Sequence, residues 1–219
     1  MKIKTIIIIC FLVLLNSCIV KSLQPFYTEE SIAFQKYFVG EWKDNKNSNW
    51  EVVSLKEEFK KDNKDQSELS AEDKEIFEKY KDGYLVTYTK KEKEAVFIAM
   101  PFKIGDQVFM DFIPFDYENL SNDLVSQHLL KTHSVAKFDV LEENKEVKIS
   151  WLDEDRLKSL YDNNQIQLKH EVIGLDEAFV LTASSEELYE FLKKYMASNI
   201  KDKWKSSNEY TLKRSDAKP

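Results

Sequence analysis

The feature that most limits the possible folds is a series of short runs in which apolar residues alternate with polar ones. Val147, Ile149 and Trp151, for example, share one face of an extended chain, and the residues between them are polar. Similar runs rich in β-branched or aromatic residues occupy residues 50–55, 84–89, 95–104, 107–113, 135–141, 166–172, 177–182 and 209–214. The sequence therefore predicts a protein built mostly from short antiparallel strands.

The turns between these runs support hairpins and a closed sheet. Gly105 and Asp106 separate two runs and supply the backbone freedom that a tight hairpin needs. No unit of 20 to 50 residues repeats along the chain, which disfavours solenoids and propellers. A barrel without free edges is the simplest arrangement for this many short strands.

Three segments carry helix signals instead. Residues 70–81 begin with a serine and an acidic turn, and residues 153–161 place apolar side chains at helical spacing behind acidic residues. Residues 184–197 combine a capping box, formed by Ser184 and Glu187, with an apolar stripe. We therefore expect one helix inserted between strands and another near the carboxyl terminus, followed by a short final strand.

The amino-terminal segment has the layout of an export signal. Lys2 and Lys4 precede a mostly apolar run from Ile6 to Leu15. This run is shorter than the roughly 20 apolar residues that cross a bilayer as a helix. We therefore interpret residues 1–17 as a signal peptide that is removed.

The junction Leu15-Asn16-Ser17-Cys18 resembles the lipobox of bacterial lipoproteins. The resemblance implies cleavage between Ser17 and Cys18 and attachment of acyl chains to Cys18, which would be the contact of the protein with a membrane. Several chains hold a protein firmly, because each buried methylene contributes about 0.8 kcal/mol. An Asp directly after the lipidated cysteine would resemble an inner-membrane retention signal, but this position holds Ile19. We therefore expect the protein on the periplasmic face of the outer membrane. The alternative is an ordinary signal-peptidase site with an incidental cysteine.

Composition limits the mature protein further. Removing 17 of the 219 residues leaves 202, enough for one hydrophobic core, with Cys18 as the only cysteine and therefore no internal disulfide. Loss of Lys2 and Lys4 changes the formal net charge from −7 to −9, which argues against a nucleic-acid partner. We predict a lipidated flexible tether at residues 18–36, one domain at 37–214 and a disordered tail at 215–219.

The start of the predicted domain carries a second resemblance. Phe38-Val39-Gly40-Glu41-Trp42 resembles the Gly-x-Trp signature that opens the first strand of lipocalins, and residues 37–214 look like a group of uncharacterised bacterial lipoproteins. The resemblance implies a barrel closed at one end by Trp42. We expect a β-rich α+β fold, a lipocalin-like antiparallel β-barrel with an inserted helix and a C-terminal helix followed by a short strand. We interpret Arg214 as a solvated tail residue; the resemblance offers stacking on Trp42 as the alternative.

The candidate binding residues are few. His128 and His133 are five residues apart and would face opposite sides of a strand, so the spacing does not support a metal site. His170 lies on the same predicted strand face as Leu168 and Val172. It is either a core histidine held by a neighbour or a polar group that orients a ligand in an apolar cavity.

The sequence gives no positive sign of catalysis. Asp111 and Asp116 flank Pro114 and could act as an acid and base pair, but aspartates at strand ends usually shape turns. No serine stands in a nucleophile elbow, and four glycines leave no phosphate-binding loop. We therefore predict no enzyme, catalytic residue, metal or cofactor.

These observations lead to two functional hypotheses for a membrane-anchored lipoprotein. In the first, the barrel binds a small apolar or amphipathic ligand, with Trp42 and His170 as the candidate contacts. In the second, the barrel is filled and the protein is structural or binds another envelope protein. A cavity with one or two convergent polar groups would favour the first hypothesis.

Overall fold

The structure is a computed structural model that describes residues 18–62, 70–117, 129–142 and 145–215. Its strands are β1 (Lys21–Ser22), β2 (Gly40–Asp44), β3 (Asn49–Ser54), β4 (Tyr84–Lys90), β5 (Lys93–Ile104), β6 (Gln107–Tyr117), β7 (Ser134–Glu142), β8 (Glu146–Trp151), β9 (His170–Ile173), β10 (Ala178–Leu181) and β11 (Glu209–Arg214). The α-helices are α1 (Leu55–Asp62), α2 (Ala71–Tyr80), α3 (Glu154–Asp162) and α4 (Ser185–Ala197). The predicted signal peptide at 1–17, most of the predicted tail and His128 lie outside the described residues.

Eight antiparallel strands form a closed barrel in the order β11-β2-β3-β4-β5-β6-β7-β8. The final strand β11 closes it by pairing with β8 on one side and with β2 on the other. The hairpin predicted around Gly105 joins β5 to β6, and Gly105 has the positive φ of +59° that such a turn favours. The predicted fold class, a β-rich α+β barrel with an inserted helix and a C-terminal helix before a short strand, is confirmed.

The chain between β8 and β11 leaves the barrel and builds a second layer outside it. This excursion contains α3, the strands β9 and β10, and α4. The two strands join β1 in a separate sheet of order β1-β10-β9, in which β1 runs parallel to β10. The predicted capping box of α4 is present, because Ser184 and Glu187 each bond the other's backbone N–H.

The barrel wall therefore separates two hydrophobic cores. Along β5, Phe97 and Ala99 contribute to the core inside the barrel, whereas Ile98, Met100 and Phe102 contribute to a core between the wall and the second layer. Both faces of this strand are covered, which explains why its sequence is an almost continuous apolar run. The second core also includes residues of α3, β10 and α4.

The prediction of a flexible tether at residues 18–36 is wrong, because this segment packs along the outer wall of the barrel. Val20, Phe26 and Tyr27 are buried in the second core. The backbones of Ser22 and His133 exchange two hydrogen bonds of 2.9 Å. The folded body therefore begins at the first described residues rather than at residue 37, because the outer wall exposes an apolar stripe that this segment covers.

Candidate functional site

One end of the barrel is closed by the signature tryptophan. Trp42 is buried, and its Nε1 donates a hydrogen bond of 2.8 Å to the carbonyl oxygen of Phe38. The guanidinium of Arg214 lies 4.5 Å from the centroid of the Trp42 ring and donates hydrogen bonds to the carbonyl oxygens of Tyr37 and Val39. The interpretation of Arg214 as a solvated tail residue is therefore wrong, and the stacked alternative is present.

The same end is also filled with side chains. A 3-10 turn at Lys36–Phe38 carries Phe38 into the barrel, where its ring contacts those of Tyr84 and Phe138 at centroid distances of 5.3 and 4.9 Å. Such edge-to-face contacts fix the rings in place. Trp42 belongs to this packed end and does not line the cavity described next, so a ligand in that cavity would not contact it.

The opposite end, which we call the mouth, contains a cavity of about 170 Å³. Its lining comes from seven of the eight barrel strands and from two residues outside them, Ile19 before β1 and Asn208 directly before β11. The lining residues are Ile19, Trp50, Tyr88, Phe97, Phe112, Ser134, Trp151, Asn208 and Tyr210. Six of these nine side chains are aromatic, so the mouth presents rigid apolar walls with polar groups at only a few points.

The aromatic walls of the mouth support one another. The Trp50 ring lies edge-on to Tyr88 and Tyr210 at centroid distances of 5.0 and 5.6 Å. The Trp151 ring lies 5.0 Å from Phe112 and 5.6 Å from Tyr210. Because each ring touches others, the shape of the cavity is set before any ligand arrives.

The nitrogen donors of the mouth tryptophans already have partners. Trp50 Nε1 donates to Asp44 Oδ2 at 2.9 Å, and Trp151 Nε1 donates to Ser134 Oγ at 3.3 Å. The other oxygen of Asp44 accepts bonds from two backbone N–H groups of the β2–β3 turn. The polar atoms are therefore used to hold the walls, and the cavity surface is left mostly apolar.

The hydroxyl group of Tyr210 stays neutral at physiological pH. Burial, followed by the neighbouring Tyr88 and the charge of Asp44, raises the pKa of Tyr210 to about 12. The Tyr88 hydroxyl lies 3.0 Å from Ser48 Oγ. A charged group entering the cavity would find no lining side chain of opposite charge, so the mouth suits an uncharged group.

His170 lies outside the barrel, so the hypothesis that it orients a ligand in the barrel cavity is wrong. It belongs to β9, its ring stacks on Phe179 at 4.4 Å, and Tyr161 meets it edge-on at 4.3 Å. Its Nδ1 lies 3.1 Å from the carbonyl oxygen of Leu168. These contacts match the alternative in which the histidine is held by neighbouring residues.

The structure also brings together a buried pair that the sequence did not reveal. Asp111 Oδ1 lies 2.6 Å from His133 Nδ1, and Asp111 Oδ2 accepts a hydrogen bond of 2.8 Å from the backbone N–H of Phe26. Burial raises the pKa of the Asp111 carboxyl, and the contact with His133 opposes this rise. The only sequence signal for this pair was the position of Asp111 between Met110 and Phe112, which face the barrel interior, so that Asp111 faces the outer core.

This pair fastens the amino-terminal segment to the outer wall and does not open into the mouth. The side chain of Asp116 and the whole of His128 are outside what the structure describes, so the interpretation of Asp116 as a turn-shaping residue rather than an acid or base stays a prediction. Within the described ranges, no three His, Cys, Asp or Glu side chains are grouped closely enough to hold a metal ion. No helix in the same ranges has the length and apolar character needed to cross a bilayer.

A larger groove, of about 1050 Å³, runs along the outside of the molecule between α4 and residues 164–169. Its walls include Lys169, Glu186, Glu187, Glu190 and Lys194, and Lys169 forms an ion pair with Glu187 at 3.2 Å. Such charges on a helix surface are usually solvated. The groove is therefore a weaker candidate than the mouth, despite its size.

Comparison with known proteins returned no matching family model, no matching curated protein and no matching solved structure. The interpretation of the mouth consequently depends on its geometry and chemistry alone.

Proposed function

We propose that the barrel binds one small apolar group at its mouth, in a protein that is held on the bacterial cell envelope by acyl chains on Cys18. The observation that carries the proposal is the preformed aromatic cavity of about 170 Å³. An apolar cavity of roughly 150 Å³ accepts a molecule the size of benzene. The cavity therefore fits one ring or the end of an alkyl chain, and the rest of a larger ligand would stay outside.

Eight-stranded barrels are wide enough to hold one small ligand when side chains leave part of the lumen empty. Here the end around Trp42 is filled and the mouth is not. Ser134 and Asn208 are the polar residues without aromatic rings at the cavity wall. The Ser134 hydroxyl already accepts from Trp151 Nε1 and donates to the carbonyl oxygen of Phe112, so it can accept one further hydrogen bond from a hydroxyl or amide at the edge of the bound group. The ligand class is thus an uncharged amphipathic molecule with one apolar arm.

Binding can be tested with N-phenyl-1-naphthylamine, an apolar dye that fluoresces when it leaves water. The protein for this test is the chain from residue 18 with Cys18→Ser, which carries no acyl chains that could compete. We expect saturable binding, and we expect Phe97→Trp to weaken it at least about tenfold, because a larger ring would fill the cavity. Octanoyl monoglyceride should displace the dye.

Phe34→Trp is the matched control, because Phe34 is a partly exposed ring that stacks on Tyr84 at the closed end. This variant should bind the dye as the parent does. Equal affinity of the parent and Phe97→Trp, or the absence of saturable binding in the parent, would contradict a site at the mouth.

Anchoring is tested separately in cells with Cys18→Ser in the full precursor. We expect the parent to sediment with envelopes, to gain the mass of its acyl chains and to lose residues 1–17. The serine variant should lose all three properties. A variant that still sediments with the outer membrane and matures to the parent mass would contradict acylation at Cys18.

The filled end of the barrel favours a second candidate function, in which the protein is structural or presents its surface to another envelope protein. In that case the mouth is only a gap in the packing. A parent protein that binds neither the dye nor monoglycerides but remains anchored would support this alternative.

A further inference from the structure

Three parts of the chain meet at the mouth end of the molecule. Ile19, the residue after Cys18, lines the mouth. The strands β1 and β10 are parallel and pair Lys21 with Val180, so both begin at this end, and the turn that precedes β10 also lies here. The ladder between β6 and β7 ends at the pair Phe112 and Ser134, both of which line the mouth.

Several exposed apolar side chains lie on these parts. Leu175 at the β9–β10 turn is fully exposed, and the nearby Val172 and Ile173 are 57% and 41% exposed. Beyond the end of the β6–β7 ladder, Phe115 and Leu130 are also exposed. Single exposed leucines need no explanation, but a cluster at one end of a protein marks a contact surface.

The segments that carry the two groups of apolar side chains are neighbours across the small outer sheet. From β9, the lateral order is β10, then β1, and then His133, which pairs with Ser22 of β1. Three steps at the usual strand spacing of about 4.8 Å give a width of roughly 14 Å. The attachment point, Cys18, precedes β1 by three residues and accepts a hydrogen bond from Glu154 N, just beyond the end of β8.

We infer that this mouth end rests on the lipid surface, with the β9–β10 turn inserting Leu175 and its neighbours as a second contact beside the acyl chains. The inference rests on the proposed acylation of Cys18, since an anchor attached at this end holds it within reach of the bilayer. Asp176 and Glu177 follow Leu175 and no basic residue lies in the turn, so the attraction is apolar rather than electrostatic and should persist at high salt. The mouth then opens toward lipid, where apolar ligands are concentrated.

The experiment uses the full mature lipoprotein in vesicles of phosphatidylethanolamine and phosphatidylglycerol. Leu175→Cys supplies the single free thiol, because Cys10 is removed with the signal and Cys18 is acylated, and it is labelled with the environment-sensitive dye NBD. We expect a blue-shifted emission that is at least about twofold brighter than in detergent-free buffer, and quenching by lipids brominated in their acyl chains.

Leu141→Cys is the matched control, because Leu141 is 54% exposed at the β7–β8 turn, at the opposite end of the barrel. Its dye should stay accessible to iodide and should not be quenched by brominated lipids. Val172→Cys provides a second position on the proposed contact and should behave as Leu175→Cys does.

The possible failures are distinguishable. A protein that carries its acyl mass and floats with the vesicles, but whose dyes at residues 175 and 172 remain as accessible to iodide as that at 141, overturns this inference alone. A protein that lacks the acyl mass and does not float overturns the proposed anchoring and, with it, this inference.

Discussion

At the scale of single residues, the buried pair of Asp111 and His133 joins two distant parts of the chain. The carboxyl group accepts bonds from His133 and from the backbone of Phe26, and it is fully buried. A buried carboxyl is stabilising only while its partners remain in place. The pair therefore holds the amino-terminal segment on the barrel wall.

We predict that Asp111→Ala lowers the free energy of unfolding by about 3 kcal/mol, because it leaves two buried donors without an acceptor. Denaturation in urea measures this loss, and amide hydrogen exchange should become faster at Ser22 and Phe26. Asp139→Ala is the control, since Asp139 forms a partly exposed pair with Lys137 at 2.8 Å and should cost less than about 1 kcal/mol. Equal losses in the two variants would contradict the proposed role of Asp111.

At the scale of secondary-structure elements, the junction of α2 and β4 is pressed tightly against β5. The N–H of Gly83 donates to the carbonyl oxygen of Tyr80, and the carbonyl oxygen of Gly83 accepts from Leu55 N–H. A Cβ atom at residue 83 would lie 3.0 Å from the carbonyl oxygen of Ala99 and still closer to the buried sulfur of Met100. The glycine is needed here for space.

We expect Gly83→Ala to destabilise the protein by about 1–3 kcal/mol, because the added methyl group overpacks a core that cannot move aside. The midpoint of urea unfolding measures the effect. Gly105→Asn is the comparison, since a Cβ there meets nothing within 4 Å and asparagine tolerates the positive φ of this turn. A loss of stability in the asparagine variant as large as that in Gly83→Ala would exclude crowding as the cause.

At the scale of the whole molecule, the barrel is closed by strands from opposite ends of the chain. In the pairing of β11 with β2, Arg214 stands opposite Trp42. The arginine reaches from the last strand to the carbonyl groups that precede the first, and it also stacks on the tryptophan. The Arg214 side chain thus connects the last strand β11 to the segment before β2 and to Trp42 at the closed end.

We predict that Arg214→Lys destabilises the protein by about 1–2 kcal/mol, because an ammonium group cannot bond both carbonyl groups and stack on the ring at once. Urea denaturation followed by tryptophan fluorescence measures the change. Lys213→Gln is the control, because the neighbouring Lys213 is mostly exposed and its Nζ lies 3.7 Å from Glu146. If Lys213→Gln loses as much stability as Arg214→Lys, the proposed role of the Arg214 contacts is contradicted.

Local patterns were sufficient to locate most elements. The run from Glu146 to Trp151 and the run from Glu209 to Arg214 coincide with β8 and β11, and the capping box at Ser184 begins α4 as expected. These signals are local, because the alternation of side chains and the capping of helix ends depend only on residues a few positions apart. The helix α1 was not predicted, since it follows β3 without a turn residue between them.

The sequence alone determined the β-rich class and the hairpin at Gly105, because each is written in adjacent residues, while acylation of Cys18 stays a prediction from the resemblance at residues 15–18. Only the tertiary structure decided which strands enter the barrel, that residues 19–36 cover its wall, and that the mouth cavity is lined from seven strands. Periodicity shows that a face is buried but not what buries it. The role of Asp111 was missed for this reason, since its partner Phe26 lies 85 residues away along the chain, and His170 was misplaced because periodicity did not show that β9 lies outside the barrel.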